Sequence, residues 1–479
     1  MFDLAQTAVE GALAAGATYA DARGLESRRQ AITVQNGSVE GADLAEEAGI
    51  GVRALIGSSW GFYAVAEPSS EAARKAGESA AAIAKASAMV PGPAQVLAEV
   101  AINQDEYKNP VDEDPFSISL SEKVDLLIGL TSAMQETEGV ALARANLNFW
   151  DSKKWFVSSQ GHRIFQQLVE SGGGMSALAV GERETQVRSY PQSFGQYETG
   201  GYEIVRRWDF PAHAQRIAEE AVALLTAAEM EEGEKTLILD AAQVALQIHE
   251  SVGHAIELDR ILGWEAAFAG TSHLELDKLN QHKYGSPLMN ITADATLPGA
   301  LGTFGYDDEG TPAQRVDIVK EGTWVGVLSG RDSAAIAGLP PGGMVRGDGY
   351  NRLPMVRMTN VGLLPGSSSR DEMIADTQDG YVYNNNRSWS IDDRRLNFQF
   401  GCEAAWEVKN GKLGKMVKNP TYTGITPQFW GSMDMVGSES EWVLWGLPNC
   451  GKGQPIQLAH TAHPAVPARF QSVRVGVRG

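Results

Sequence analysis

An undistorted α-helix cannot bring both histidines of His249-Glu250-Ser251-Val252-Gly253-His254 to one point, yet the flanking sequence asks for a helix. Residues 235–239 read as a strand. Asp240 offers an N-cap with Gln243 at the third helical position, a capping-box pattern, and the apolar run continues to Gly263, a natural C-terminal stop. Around a helix, positions i and i+4 are about 40° apart, whereas i and i+5 are about 140° apart. The motif is HExxxH, one residue longer than the HExxH in which two histidines share a metal and the glutamate is the base. A π-bulge turns fewer degrees per residue and returns the two rings to one side. Gly253 is permissive enough to ease such a distortion. The sequence therefore predicts a helix up to Gly263, interrupted by a π-bulge or kink between His249 and His254.

Two histidines and a glutamate also occur on helices that bind nothing. Two features favour chemistry here. His249 and Glu250 are adjacent in the order in which a glutamate serves as base, and Glu257 and Asp259 follow closely as acceptors for imidazole N–H groups, although acids there also suit a solvated helix face. A catalytic zinc commonly has three protein ligands and one position for water. Cys450 is the best-placed third candidate by neighbourhood. Glycines 451 and 453 allow close backbone approach, and Lys452 favours a thiolate. On these features alone a free structural cysteine is the better reading of Cys450. Cys402 lies in a strand-like alternation and reads as packing. Lys452, His460 and His463 are candidate donors to a developing oxyanion; His460 and His463 also suit a surface pair.

Elsewhere the first 230 or so residues alternate helix and strand signals. Residues 2–15 and 69–89 are Ala-rich and helical. Runs at 19–26, 30–35, 48–56 and 60–66 read as strands, with Asn36-Gly37 as a hairpin turn. The acidic, proline-bearing stretch 103–118 reads as a connector, and Ser119 with Glu122 as a capping box before another helix. Residues 140–190 read as antiparallel strands with Gly172-Gly173-Gly174 at a turn, and 211–229 as a helix. EMEEGEK is a plausible junction, giving an expected division into 1–232, mixed α/β, and 233–479, mostly β after one strand and one helix. The expected fold class is α+β.

Charge and cysteine content narrow the options. Sixty acidic against 40 basic side chains leave a net charge of −20, which argues against nucleic-acid binding and docking on anionic lipid. Two cysteines are too few for a disulfide scaffold and suit a reduced, cytoplasmic protein. The N-terminus lacks a basic region and reads as an amphipathic helix, not a signal peptide, and no run reaches the roughly 18 apolar residues of a membrane span.

Several segments together resemble the TldD side of the TldD/PmbA (TldE) metalloprotease family: residues 49–54 with 60–62, HESVGHAIELD at 249–259, YDDEGTP at 306–312, LPMVRMTN at 353–360, and Cys450-Gly451-Lys452. The resemblance runs through nearly the whole chain. It implies an α/β N-terminal domain followed by a largely β, barrel-like C-terminal one. It places His249, His254 and Cys450 as ligands of Zn²⁺, and Glu250 as the catalytic glutamate. It also implies action on unfolded or extended peptides, and pairing with a PmbA/TldE-type subunit that lacks the motif; a homodimer is the other expectation. The two histidines after Cys450 depart from the family's general pattern. The turn at 307–312 reads as a solvated cap or a substrate contact, and Arg357 as an anchor for a carboxylate or the partner of an internal acid. Two other functions stay open: a zinc amidase or deformylase-like hydrolase, and a non-catalytic modulator with structural zinc or none.

Overall fold

The computed structural model describes residues 1–476. Strands Tyr19–Gln35 and Ser38–Ile56 form a long hairpin whose turn is Asn36-Gly37, both at positive φ (50° and 74°). That geometry matches the right-handed twist of the strands it joins. Val140–Ser158 and Arg163–Val180 make a second long hairpin, and Tyr19–Gln35 pairs antiparallel with Val140–Ser158. One eight-stranded sheet results.

Alternation along these strands decides what each face meets. On one face, Ala20, Ala22, Ile50, Val52 and Ala54 pack beneath helices Phe2–Ala14 and Ser70–Ser87. Further along, Ile32, Val34, Leu147, Phe149 and Ala177 pack beneath Leu120–Gln135 and Pro211–Thr226. The opposite face carries Asp21, Arg23, Arg53, Lys154 and Gln166, and it receives the C-terminal half of the chain.

Two local expectations fail on this sheet. Gly172-Gly173-Gly174 is not a turn but the middle of strand Arg163–Val180. A Cβ there would lie 2.1 Å from the Gln196 carbonyl oxygen, 2.2 Å from that of Asn146 and 2.7 Å from the Gly195 Cα, in residue order. These glycines are needed because neighbouring backbone crosses closely. The supposed connector 103–118 contains strand Gln104–Lys108, which joins the same sheet in parallel. At Ser119 half of the capping box forms: its Oγ accepts the Glu122 N–H at 3.1 Å, while the Glu122 carboxylate goes to Arg206.

The C-terminal half is built around a closed barrel of five strands. Gly233–Leu239 pairs in parallel with Asp379–Ile391 and antiparallel with Ala468–Val475. Ala468–Val475 pairs with Thr421–Ile425, that strand with Asn397–Lys409, and that one again with Asp379–Ile391. The fold is thus α+β, as the sequence suggests, with a barrel in its C-terminal part, as the family resemblance implies. Leu237, Tyr383, Phe398, Phe400, Tyr422 and Phe470 belong to its core, and so does Cys402, a buried free thiol. Strands Val443–Lys452 and Gln457–Ala465 form a separate hairpin outside the barrel. Among the described residues, no helix is long and apolar enough to cross a membrane.

Candidate metal centre

Helix Ala241–Ile248 leaves barrel strand Gly233–Leu239 and is buried along its whole length. A helix so enclosed needs partners for its polar side chains. Gln243 gives its amide N–H to the Tyr422 hydroxyl (2.9 Å), which itself donates to Gln247 Oε1 (2.9 Å). The expected Asp240–Gln243 capping box is therefore absent. Asp240 accepts instead from Arg370 Nε (2.6 Å) and Asn384 Nδ2 (3.1 Å), which the barrel puts within reach.

At His249 the helix widens into one π-turn, His249–Gly253, and the His254 N–H donates to the His249 carbonyl, five residues back, at 3.3 Å. The distortion expected from the i, i+5 spacing is present. Its relation to Gly253 differs from expectation. Gly253 does not adopt a left-handed φ, and a Cβ there would lie 2.1 Å from Met358 Sδ, so what the glycine supplies is room for that buried side chain. Nor does the helix run on unbroken to Gly263. Glu257 forms a bridge to Leu328, a short helix Leu258–Ile261 follows, and Gly263 ends it at φ 84°.

The π-turn sets the two imidazole rings 4.9 Å apart, nearly perpendicular at 89°. The hairpin Val443–Lys452/Gln457–Ala465 lays Cys450 across them. The ligand atoms of His249, His254 and Cys450 lie within 4.8 Å of one another, and Cys450 Sγ is 3.8 Å from His254 Nε2. Burial alone opposes a thiolate, but His249, His254 and Arg357 outweigh it and hold the Cys450 pKa well below the usual thiol range.

The far side of each ring is occupied. His463 Nδ1 lies 2.8 Å from the Val361 carbonyl, which only accepts, so this nitrogen carries the proton. Burial keeps His463 well below the ordinary imidazole pKa, so its Nε2 is an acceptor, and it meets His249 Nδ1 at 2.7 Å. His249 must therefore donate from Nδ1, which turns Nε2 toward the cluster, where, against burial, the Cys450 thiolate raises the pKa of the ring. His254 does the same through Nδ1 to Glu257 Oε2 (3.0 Å). An imidazole held through Nδ1 is oriented to ligate a metal through Nε2. Two imidazole nitrogens and a thiolate form a donor set suited to zinc.

Glu250 faces the same cleft, a space of about 400 Å³ also lined by Phe194, Trp389 and Arg395. Its Oε2 accepts from Arg395 Nη1 at 2.5 Å. Sequence reasoning missed Arg395, which lies 145 residues from its partner at the tip of a hairpin, with no spacing to connect the two. The donors it did single out are committed elsewhere. Lys452 gives hydrogen bonds to both Asp259 oxygens (2.7 Å each) and to the Val356 carbonyl (2.8 Å). Asp259 is thus the partner of Lys452 rather than of an imidazole. His463 backs His249. His460 is not a free surface residue: it meets Glu170 at 2.8 Å and the Trp150 ring at 4.8 Å, against the N-terminal sheet. Among the described residues Arg357 is paired with no acid. It donates to the Cys450 and Gln457 carbonyls and braces the two strands of the cysteine hairpin.

The acidic turn Asp307-Asp308-Glu309 is neither solvated nor in the cleft. All three residues are at most 1% exposed. Asp308 accepts from Arg23 (2.8 Å) and Lys154 (2.5 Å), and Glu309 from Arg53 (3.2 Å), so the turn pins the C-terminal half to the open face of the N-terminal sheet.

Known proteins agree with this architecture. The sequence matches PmbA/TldA metallopeptidase domain 1 over residues 20–84, the central domain over 113–228 and the C-terminal domain over 232–475. It is 29% identical over 439 residues to a metalloprotease of Methanothermobacter thermautotrophicus, covering 91% of each chain. It is 26% identical over 469 residues to a metalloprotease TldD homolog of Haemophilus influenzae, covering 96% of this chain and 92% of that one. A zinc metalloprotease TldD homolog of Saccharolobus solfataricus is 25% identical over 232 residues, 48% of this chain and 49% of the relative. Among solved structures, a putative modulator of a DNA gyrase from Thermotoga maritima superposes with a TM-score of 0.78 at 16% identity, covering 99% of both chains. TldE from Thermococcus kodakarensis superposes at 0.73 and 16%, covering 98% of this chain and 99% of that one. Matched by all three of its domains, with the His-His-Cys cluster inside the third, the chain belongs to the PmbA/TldA metallopeptidase family.

Proposed function

We propose that this protein is a zinc-dependent metalloprotease that hydrolyses peptide bonds of unfolded or extended peptides, with His249, His254 and Cys450 as zinc ligands and Glu250 as general base. The observation that carries the reading is the convergence of three ligand atoms within 4.8 Å, from positions 249, 254 and 450, beside a glutamate that lines the same cleft. Zinc bound there supplies a Lewis acid that makes water nucleophilic near neutral pH. Glu250 accepts the proton of the attacking water and hands it to the departing amine nitrogen. His463 and Glu257 hold the two rings in the ligating tautomer.

An extended substrate suits the cleft wall. Strand Asp379–Ile391 pairs with Asn397–Lys409 along its whole length, but with Gly233–Leu239 only through Tyr383. Residues 389–391 line the cleft beyond that point. A peptide laid along this edge gains main-chain hydrogen bonds with little reading of side chains. The same reading includes a cytoplasmic setting and assembly with a PmbA/TldE-type subunit, or as a homodimer.

Zinc analysis and one variant test the core of this proposal. Purified protein is expected to hold about one zinc per chain and to cleave an unstructured peptide, and Glu250→Gln is expected to retain the zinc while losing cleavage. Full activity in Glu250→Gln would exclude the mechanism. Wild-type protein without zinc would favour a modulator role.

A further inference from the structure

A peptide carbonyl under attack needs a donor for the negative charge that develops on its oxygen. With Lys452, His460 and His463 all engaged elsewhere, the cleft offers a different group. Arg395 lines it together with the metal cluster, and its Nη1 is 2.5 Å from Glu250 Oε2. Among the described residues its Nε is buried and has no hydrogen-bond partner. A buried guanidinium N–H without a partner is costly unless a ligand supplies one.

The backbone at this position supports the same conclusion. Arg395 has φ 60°, a left-handed conformation that a side chain with Cβ adopts only at a cost. The turn is held there firmly. Asp392 accepts from the Leu396 N–H (2.8 Å) and from Asn397 Nδ2 (2.6 Å), and the Thr426 hydroxyl donates to the Arg395 carbonyl (2.8 Å). Glycine would fit this backbone without strain. An arginine at such a position, with its guanidinium directed at the proposed base, points to work done by the side chain.

Resting on the hydrolytic role proposed above, we infer that Arg395 is a catalytic residue that donates to the oxyanion of the tetrahedral intermediate while Glu250 holds its guanidinium in place. In the step it serves, water oxygen bonds to the carbonyl carbon, the C=O π pair moves onto oxygen, and the water proton goes to Glu250. Arg395 donates to that oxygen without giving up a proton. When the C–N bond breaks, the oxygen's pair re-forms the carbonyl and Glu250 returns the proton to the amine nitrogen. The contact to Glu250 uses one N–H of the fork, so a second can serve the oxyanion in the same geometry.

The test compares Arg395→Met, Arg395→Gly and Arg395→Lys with wild type on an unstructured, C-terminally amidated fluorogenic peptide. Zinc content is measured for each variant, and so is affinity for a phosphinic pseudopeptide of the same sequence. Arg395→Met and Arg395→Gly are expected to lower kcat about 100- to 1000-fold with KM changed only a few-fold. Affinity for the phosphinic mimic should fall with kcat, with zinc retained. Arg395→Gly should melt no lower than wild type, and Arg395→Lys should recover part of the rate. Unchanged kcat overturns the inference. So does an effect on KM alone that appears only with a free C-terminal carboxylate, because that marks a substrate anchor, and so does loss of zinc, because that marks a structural role. If Glu250→Gln is inactive while the Arg395 variants are fully active, only this inference fails. If Glu250→Gln is active, the underlying reading fails.

Discussion

His463 shows how much the proposed zinc site depends on a residue that is not itself one of the proposed ligands. Its Nδ1 is tied to the Val361 carbonyl, so its Nε2 can only accept, and that fixes which nitrogen of His249 faces the cluster. Removing the acceptor frees the His249 ring to rotate or change tautomer. His463→Phe should therefore weaken zinc binding by about 10- to 100-fold, measured by competition with a chelator, while His463→Gln, which keeps an acceptor oxygen, recovers part of the loss. Equal affinity in His463→Phe and wild type would show that Val361 and His463 only pack. His463 was visible in the sequence as a histidine near Cys450, but its task was not. A donor role and a backing role look alike until the neighbours of both ring nitrogens are known.

At the scale of the element, the π-turn was the most legible feature, because the argument needed only the angle per residue and the wish to bring two rings together. The reason for its glycine was not legible. Gly253 faces Met358, more than 100 positions on, and sequence-local reasoning credited the glycine with backbone freedom it does not use. Gly253→Ala should cost about 1–3 kcal/mol by overpacking. A double-mutant cycle with Met358→Ala should show a coupling of opposite sign, since the shortened side chain vacates the space the new methyl needs. No coupling would mean that the alanine acts on the backbone after all. Gly172-Gly173-Gly174 gives the same lesson. Three glycines in a row look like a turn, and only the close backbone of Asn146, Gly195 and Gln196 explains them inside a strand. Asn36-Gly37 was read correctly because its cause is local. Arg395 lay beyond reach because what singles it out is its contact with Glu250.

For the whole molecule, the acidic turn at 307–309 is the fastening between halves. Arg23 and Lys154 outweigh the burial of Asp308 and hold its pKa down at about 2. A depressed carboxylate contributes its stability above its unfolded pKa, near 3.9, and loses it as the pH falls through the folded value. Asp308→Ala strands two cations and should cost about 3–5 kcal/mol at pH 7, read from the urea midpoint. The gap to wild type should narrow as the pH drops from about 4 towards 2. A gap independent of pH would deny the ion pairs this role. Burial acts on Asp307 in the opposite direction, pushing it up to about 6 with a contribution from the neighbouring Asp308 charge, so its contribution declines as the pH rises through that value, above the window from about 4 to 2 in which Asp308 is read. The sequence showed these acids as a cluster but could not show what they face, since Arg23 lies 285 positions away on a strand of the other half. The barrel has the same long reach, and it has a consequence in time. Cys450 follows His254 by 196 residues, and the strand that closes the ring, Ala468–Val475, comes later still. At a synthesis rate of about 5–20 residues per second, a growing chain spends roughly 10–40 s with both histidines made and no cysteine to complete the set. A chain interrupted before Cys450 therefore lacks the full cluster, and the three ligand atoms come together only after the cysteine hairpin and the strand that closes the barrel have been made.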